Sequence, residues 1–352
     1  MSLFSNYSRD STAIFKNEIA LDPSFTPRGK IAFRENENQY IADCIKPLLQ
    51  RRNGKNLIIF GPPGIGKTLA SIKVKEELEE TETIGEISVF YINLWKKNTQ
   101  HKIILELCDQ LDYKFTQNKS SEDLLQIVKQ KINQNSAVFI FDEADKAESL
   151  ELLYQLAEDI YRKTMILITN DKDWIYKLDP RLKSRLTPDP LEFKPYTLQE
   201  IKQILKSRAQ LAFNSGMISE DVLNSIAQKT LQTGDVRTGL FLLRESALIA
   251  ESKSINKITQ EYAKQAIEKL GEFKRPVQLD KDEEEILSIV TKNQNKTTAE
   301  LFSIFQDNTK SDKSKRTFLR KISNLEKANL IKLEEIQGIQ GRSYKVTRLS
   351  DF

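Results

Sequence analysis

Four short apolar runs, Asn56–Phe60, Ile87–Ile92, Ala137–Phe141 and Thr164–Thr169, punctuate the first half of the chain. Each is rich in Ile, Val and Phe, is too short to be a buried helix, and is bounded by longer amphipathic stretches. That alternation predicts repeated βαβ units around a buried parallel sheet, with Leu191–Phe193 as a short fifth strand. After Pro195 the strands stop. Thr197–Phe213, Ser219–Leu231, Asp235–Lys253 and Thr259–Leu270 carry apolar residues at helical spacing, and Thr197 with Glu200 makes a capping-box pattern. Gly271–Leu279 then breaks the periodicity with Gly and Pro. Beyond it come helix-like Lys281–Thr291, a second helix from near Thr297 capped through Glu300, and a third over Ser311–Ala328. Leu330–Glu334 and Ser343–Thr347 alternate like a hairpin around a Gly-containing tip. Three helices followed by a β-hairpin is the winged-helix arrangement. The expected organisation is an α/β core over 1–195, a helical domain over 196–270, a linker over 271–280 and a winged helix over 281–352.

Composition narrows the function classes. Of 352 residues, 30% are charged and 39% hydrophobic, ordinary values for a soluble globular protein. No apolar run approaches the ~20 residues that span a bilayer, and MSLFSNYSRDST lacks the apolar stretch of a secretory signal. A cytoplasmic protein without a membrane partner is therefore expected. Cys44 and Cys108 show neither metal-ligand nor disulfide spacing, and His101 is the single histidine. Zinc sites and Ser-His-Asp chemistry thus have almost no material. The net charge of +4 is modest, but Lys310–Lys327 holds seven basic residues against Asp312 and Glu326. This local excess marks a face for an anionic partner.

GPPGIGKT, comprising Gly61, Pro62, Pro63, Gly64, Ile65, Gly66, Lys67 and Thr68, fits G-x-x-x-x-G-K-[ST] in full. It follows a strand and opens the helix-like stretch that begins TLASIKVKEEL, the context this phosphate loop requires. Its glycines let backbone N–H groups wrap phosphates, and the helix N-terminus at Thr68 and Leu69 adds partial positive charge. Lys67 would reach the β- and γ-phosphates of ATP or ADP, and Thr68 would hold Mg²⁺ through its hydroxyl. AVFIFDEAD at Ala137–Asp145 supplies the acidic partner: Asp142 would order Mg²⁺ through water and Glu143 would orient the attacking water. Asn170 ends the next strand; an amide there either senses the γ-phosphate, steadies the water, or serves as a plain turn residue.

These residues resemble the archaeal origin-recognition and cell-division-control (helicase-loader) replication initiators, a family of AAA+ ATPases, over nearly the whole chain. AIFKNEIALDPSFTPRGKIAFRE at Ala13–Glu35 is similar to the family's N-terminal segment, which implies Pro27 and Arg34 on the adenine side. YINLW at Tyr91–Trp95 is similar to its strand end with an Asn, and FIFDEADK with the following LLYQL is similar to its acidic motif and next helix. ILITND makes Asn170 the first sensor. LDPRLKSRLTPDPLEFKPYTLQEIKQILKSR at Leu178–Arg208 carries the candidate arginine fingers Arg181 and Arg185, which would complete a neighbouring subunit's ATP site. Each of the two alternatively pairs with surface carboxylates. GDVRTGLFLLRESALIAE at Gly234–Glu251 looks like the second-sensor helix, with Arg237 reaching back to the γ-phosphate. Members of the clade carry an extra helical insertion after the second strand that contributes to DNA contact. Here the corresponding stretch, about 96–130, includes the polar DYKFTQNKSS and does not divide into clear elements.

At the C-terminal end, a helix over Ser311–Ala328 would gather Lys313, Arg316, Arg320 and Lys327 on one side with Thr317 and Asn324. Phe318, Ile322 and Leu325 would face a core. A helix with an apolar back and a basic front suits a major groove, with Lys315 and Lys321 adding charge and phosphate contacts dominating affinity. Gln340, Gly341 and Arg342 at the wing tip would enter the minor groove. The alternative is a solvated charged helix on a protein-binding winged helix. Taken together, these features predict a slow ATPase used as a switch, one that binds duplex origin DNA and, as the resemblance implies, recruits or loads the replicative helicase alongside other initiator subunits. An ATP-regulated DNA-binding regulator without helicase loading would carry the same motifs.

Overall fold

A computed structural model describes residues 14–27, 31–80, 87–272, 279–293, 296–309, 314–327, 330–336 and 343–348. Its contacts divide the chain into two units, Met1–Ile267 and Glu268–Phe352. The first unit is built on five strands: β1 (Leu57–Phe60), β2 (Ile87–Asn93), β3 (Ser136–Asp142), β4 (Lys163–Thr169) and β5 (Asp189–Glu192). They pair in the order β2-β3-β4-β1-β5, and every pairing is parallel. Parallel neighbours need crossovers, and the intervening polar–apolar stretches supply them. They are α2 (Lys67–Glu79) after β1, α3 (Gln100–Gln110) and α4 (Ser121–Ile132) after β2, and α5 (Glu151–Asp159) after β3. The short α6 (Trp174–Lys177) and α7 (Pro180–Leu186) precede β5, and α1 (Glu35–Leu49) precedes the sheet.

Burial explains the strand composition. All seven residues of β3 are buried, so the run has no polar alternation. Phe139 stacks between Phe90 and Phe141 at centroid distances of 5.2 and 6.0 Å. The fifth strand begins two residues before the expected Leu191, because the Asp189 amide already donates to Asn56 O. An edge position also tolerates Pro190. The stretch after β2 that resisted division forms two amphipathic helices. Thr99 caps α3 by accepting from the Lys102 amide, and Ser120 caps α4 in a reciprocal box with Asp123. Both helices send apolar faces into the core, through Ile103, Ile104 and Leu107 from one and Leu124, Leu125 and Val128 from the other.

Past Pro195 come α8 (Leu198–Ala212), α9 (Glu220–Thr233), α10 (Val236–Ser252) and α11 (Gln260–Glu272). The Thr197–Glu200 capping box forms as expected. The segment before α1 lies on these helices. Phe15 bridges Phe213, Arg208 donates to Ala20 O and Phe25 O, and Glu18 pairs with Arg244.

The second unit contains α12 (Lys281–Lys292), β6 (Lys296–Thr297), α13 (Thr298–Thr309), α14 (Lys315–Lys327), β7 (Ile331–Ile336) and β8 (Ser343–Arg348). Its strands form an antiparallel sheet in the order β6-β8-β7, and Ile286, Val290, Leu301, Phe305, Phe318, Ile322, Leu325 and Val346 share one core. The architecture is thus a parallel α/β core, a helical domain and a winged helix. The third strand, β6, is too short to leave a pattern in the sequence. Among the described residues no helix is long and apolar enough to cross a membrane.

Candidate functional site

Parallel strands deliver their C-terminal residues to one edge of a sheet, and the polar residues of this chain converge there. The phosphate loop joins β1 to α2. Gly64 (φ +71°) and Gly66 (φ +93°) lie in the left-handed region that side chains disfavour. A Cβ on Gly64 would fall 1.8 Å from the Asp235 carboxylate, and one on Gly66 would fall 2.9 Å from the Tyr196 hydroxyl. No larger residue fits either position without moving its neighbour.

Lys67 is 5% exposed, and its ammonium donates to Gly61 O, Pro62 O and Asn170 Oδ1, each at 2.7 Å. Burial pushes its pKa down to about 8; the Glu143 and Asp142 carboxylates oppose that shift, and the charge of Arg237 adds to it. Asn170 Nδ2 in turn donates to Glu143 Oε2 at 2.9 Å. Lys67, the first sensor candidate and the candidate base thus form one hydrogen-bonded chain across β1, β4 and β3. Glu143 itself has φ 54°, a left-handed conformation that costs a non-glycine residue ~1–3 kcal/mol and needs support. The support is an Asp142 Oδ1 that accepts from the Glu143 amide and a Glu143 carbonyl that accepts from the Lys146 amide.

Asp142 Oδ2 accepts from the Thr68 hydroxyl at 2.9 Å and from the Tyr91 hydroxyl at 2.8 Å. Burial, followed by the adjacent Asp142 charge, pushes the Tyr91 phenol well above its ordinary range. Sequence reasoning did not assign Tyr91 to the site. Its available signal is that Tyr91 and Asn93, two apart near the end of β2, point to the same face. Asn93 also caps its own turn, accepting from the Trp95 and Lys96 amides.

The helical domain reaches the same loop. The Val236 amide donates to Gly64 O at 3.3 Å, and Asp235 caps α10 by accepting from the Arg237 amide. Arg237, the second-sensor candidate, is exposed on that first turn. Pro27 is part-buried beside the Phe25 carbonyl that Arg208 holds, and Leu69 is part-buried on the first turn of α2. Arg34 does not present a free group for adenine: it is 4% exposed and its guanidinium is taken up by protein acceptors. The candidate fingers are exposed and lie on α7. Arg181 pairs with Asp179 at 3.1 Å and lies over the Tyr154 ring, while Arg185 pairs with Glu158 at 2.8 Å.

In the second unit, Phe318, Ile322 and Leu325 of α14 are buried, whereas Lys315, Arg316 and Arg320 are exposed. Among the described residues no ion pair holds these three cations. Thr317 is part-buried, with its hydroxyl 3.1 Å from that of Ser314. Lys321 departs from expectation. Its ammonium pairs with Asp280 and, at 3.3 Å, with Glu283, both at the start of α12. Asn324 also turns to Glu283, at 3.0 Å. A capping box between Asp280 and Glu283 concentrates negative charge at that helix start, and it draws in the two α14 side chains nearest to it. Lys313 and the wing-tip residues Gln340, Gly341 and Arg342 lie outside the described residues.

A family model for the Cdc6 AAA+ ATPase-type lid domain matches residues 202–268, and one for an AAA domain matches residues 50–170. The chain is 32% identical over 276 residues to ORC1-type DNA replication protein 1 of Sulfurisphaera tokodaii, covering 75% of this chain and 68% of that protein. It is 30% identical over 367 residues to an ORC1-type DNA replication protein of Methanosphaera stadtmanae, covering 94% and 91%. Among solved structures it is similar to the Aeropyrum pernix ORC1 protein in complex with DNA, with TM-score 0.68, 23% identity, and coverage of 96% and 94%. It is also similar to the ORC2 protein of that organism in ADPNP–ADP complexes, with TM-score 0.73, 17% identity, and coverage of 95% and 94%.

Proposed function

The chain belongs to the ORC1-type DNA replication proteins, and from that premise we propose that it is a replication initiator whose duplex binding is switched by ATP. The observation that carries the reading is the meeting of Lys67, Thr68, Asp142, Glu143 and Asn170 at one sheet edge, with the start of α10 against the same loop. The α/β core over 1–195 and the helical lid over 196–270 enclose the nucleotide, and the linker over 271–280 leads to the winged helix over 281–352. Lys67 and the backbone N–H groups of Gly64–Leu69 hold the phosphates, Pro27 lies toward the adenine, and Arg237 reports the γ-phosphate from the lid. Glu143, steadied by Asn170, orients the attacking water.

The donor set suits magnesium. Thr68 and Asp142 offer two hard oxygens 2.9 Å apart, and Mg²⁺ is commonly bound by one or two protein groups with substrate phosphates and waters completing its shell. When bound, Mg²⁺ neutralises charge developing on the phosphoryl oxygens. Arg181 and Arg185 act on a neighbouring subunit's nucleotide. Lys315, Arg316 and Arg320 contact the phosphates of origin DNA, and the DNA-bound state recruits the replicative helicase.

Two substitutions test the site. Lys67→Ala is expected to lose ATP binding, and Glu143→Gln to keep binding while turnover falls about a hundredfold or more. Equilibrium binding of a fluorescent ATP analogue, read beside phosphate release, separates the two effects. Normal turnover in the Glu143→Gln protein would remove Glu143 from the role of base. Genome-wide mapping of bound sites with and without ATP then tests the initiator reading. A few sites beside replication starts support it, and sites scattered over promoters replace it with a regulator.

A further inference from the structure

We propose that Arg34 is a positioning residue that couples the phosphate loop to the hinge of the lid, and is not a ligand of the nucleotide base. The inference rests on the reading of Gly61–Thr68 as a nucleotide site and adds to it how the state of that site reaches the lid.

The guanidinium stands just before α1, and four of its five N–H groups donate to protein acceptors. Nε donates to Ile65 O at 3.2 Å and to the Tyr196 hydroxyl at 3.1 Å. Nη1 donates to Glu37 Oε1 at 2.8 Å. Nη2 donates to Ile65 O at 3.0 Å and to Lys194 O at 2.7 Å. Its Cζ lies over the rings of Tyr196 and Phe193, 4.1 and 5.0 Å from their centroids. A group so placed has little donor capacity left for a base.

What it touches is specific. Ile65 stands between Gly64 and Gly66, two of the three positive-φ glycines of the loop. Phe193, Lys194 and Tyr196 form the one covalent crossing from β5 to α8, the first lid helix. Nη2 has two hydrogens, one for the loop carbonyl and one for the crossing carbonyl. A relative displacement of about 1 Å between those carbonyls would stretch one bond beyond useful length. The crossing is also stiff, because Pro195 fixes its own φ. Loop and crossing therefore move together for as long as the fork is intact. Lysine has the charge but a single point of attachment, so it cannot hold both carbonyls and Glu37 in this geometry.

Hydrogen–deuterium exchange of the full chain, with Mg²⁺ and a saturating non-hydrolysable ATP analogue, tests the coupling. In the unaltered protein the analogue is expected to slow exchange about tenfold at 61–70 and also at 193–201. In Arg34→Lys and Arg34→Met it slows exchange at 61–70 only, with 193–201 within about twofold of the rate without analogue. If Arg34→Met does not fold, Arg34→Lys gives the same readout, and its thermal midpoint confirms an intact core. A purely structural role would lower that midpoint but leave nucleotide protection at 193–201 in place, and that result overturns the proposal. A tenfold change in preference between ATP and GTP in Arg34→Lys also overturns it, because Arg34 would then read the base. Absence of protection at 61–70 in the unaltered protein has a different meaning, since it removes the nucleotide site and the coupling with it.

Discussion

Asp142 accepts from two hydroxyls and one amide, and only the Thr68 contact could be read from the phosphate-loop motif. Tyr91 and Tyr196 reach the site from β2 and from the lid crossing, so neither the phosphate-loop motif nor the acidic motif marks them. Lys321 belongs to the basic run by sequence, but the capping box of α12 claims it in space. This difference is measurable through the salt dependence of duplex binding. Arg320→Met is expected to reduce the slope of log affinity against log salt by about 1, as loss of a phosphate contact does. Lys321→Met is expected to leave the slope unchanged even if affinity drops; equal slopes for the two variants would reject the distinction. Cys44 offers a second test. Its buried thiol has a pKa pushed up to about 11 by burial, against ~8.5 for a free thiol. A raised folded-state pKa means that the stabilisation of the neutral thiol is complete below the unfolded value and is lost as pH climbs toward the folded one. Urea midpoints at pH 8, 9 and 10 are expected to fall more steeply in the unaltered protein than in Cys44→Ala. Parallel profiles would exclude the thiol as a cause.

Elements with strong periodicity or caps were legible: β1 to β4, the four lid helices and the three helices of the winged helix form within a few residues of their expected bounds. Those that failed to announce themselves depend on partners. The strand β6 is two residues whose pairing with β8 exists only once the hairpin is closed. The helices α3 and α4 blur in sequence because the polar segment between them borrows a helix cap from Ser120, which also reads as loop. Among the strands, β3 is flanked by β2 and β4 and buried along its length, so it should contribute most per residue. Phe139→Ala is expected to cost ~3–5 kcal/mol, the range for deleting a large buried aromatic. Urea unfolding measures it, and a loss under ~1 kcal/mol would mean that the sheet relaxes around the cavity.

At the scale of the whole molecule, the candidate fingers sit on α7 in pairs with Asp179 and Glu158, exposed rather than buried in the chain's own core. If they serve a neighbouring subunit, turnover per chain should rise with protein concentration. Arg181→Ala and Arg185→Ala should then remove that rise, lowering turnover about tenfold or more while leaving nucleotide affinity intact. Turnover that is independent of concentration would leave both residues as surface ion pairs. The chain by itself determined the α/β class, the helical and winged-helix domains, and Lys67, Thr68, Asp142 and Glu143. These follow from local periodicity, caps and motifs whose meaning is complete within a few residues. Tertiary structure alone decided that Tyr91 would serve Asp142, that Lys321 would turn inward and that Arg34 would clasp loop and hinge. Each of those outcomes joins groups 30 to 160 residues apart, where hydrogen-bond geometry exists only after the backbone has brought donor and acceptor together.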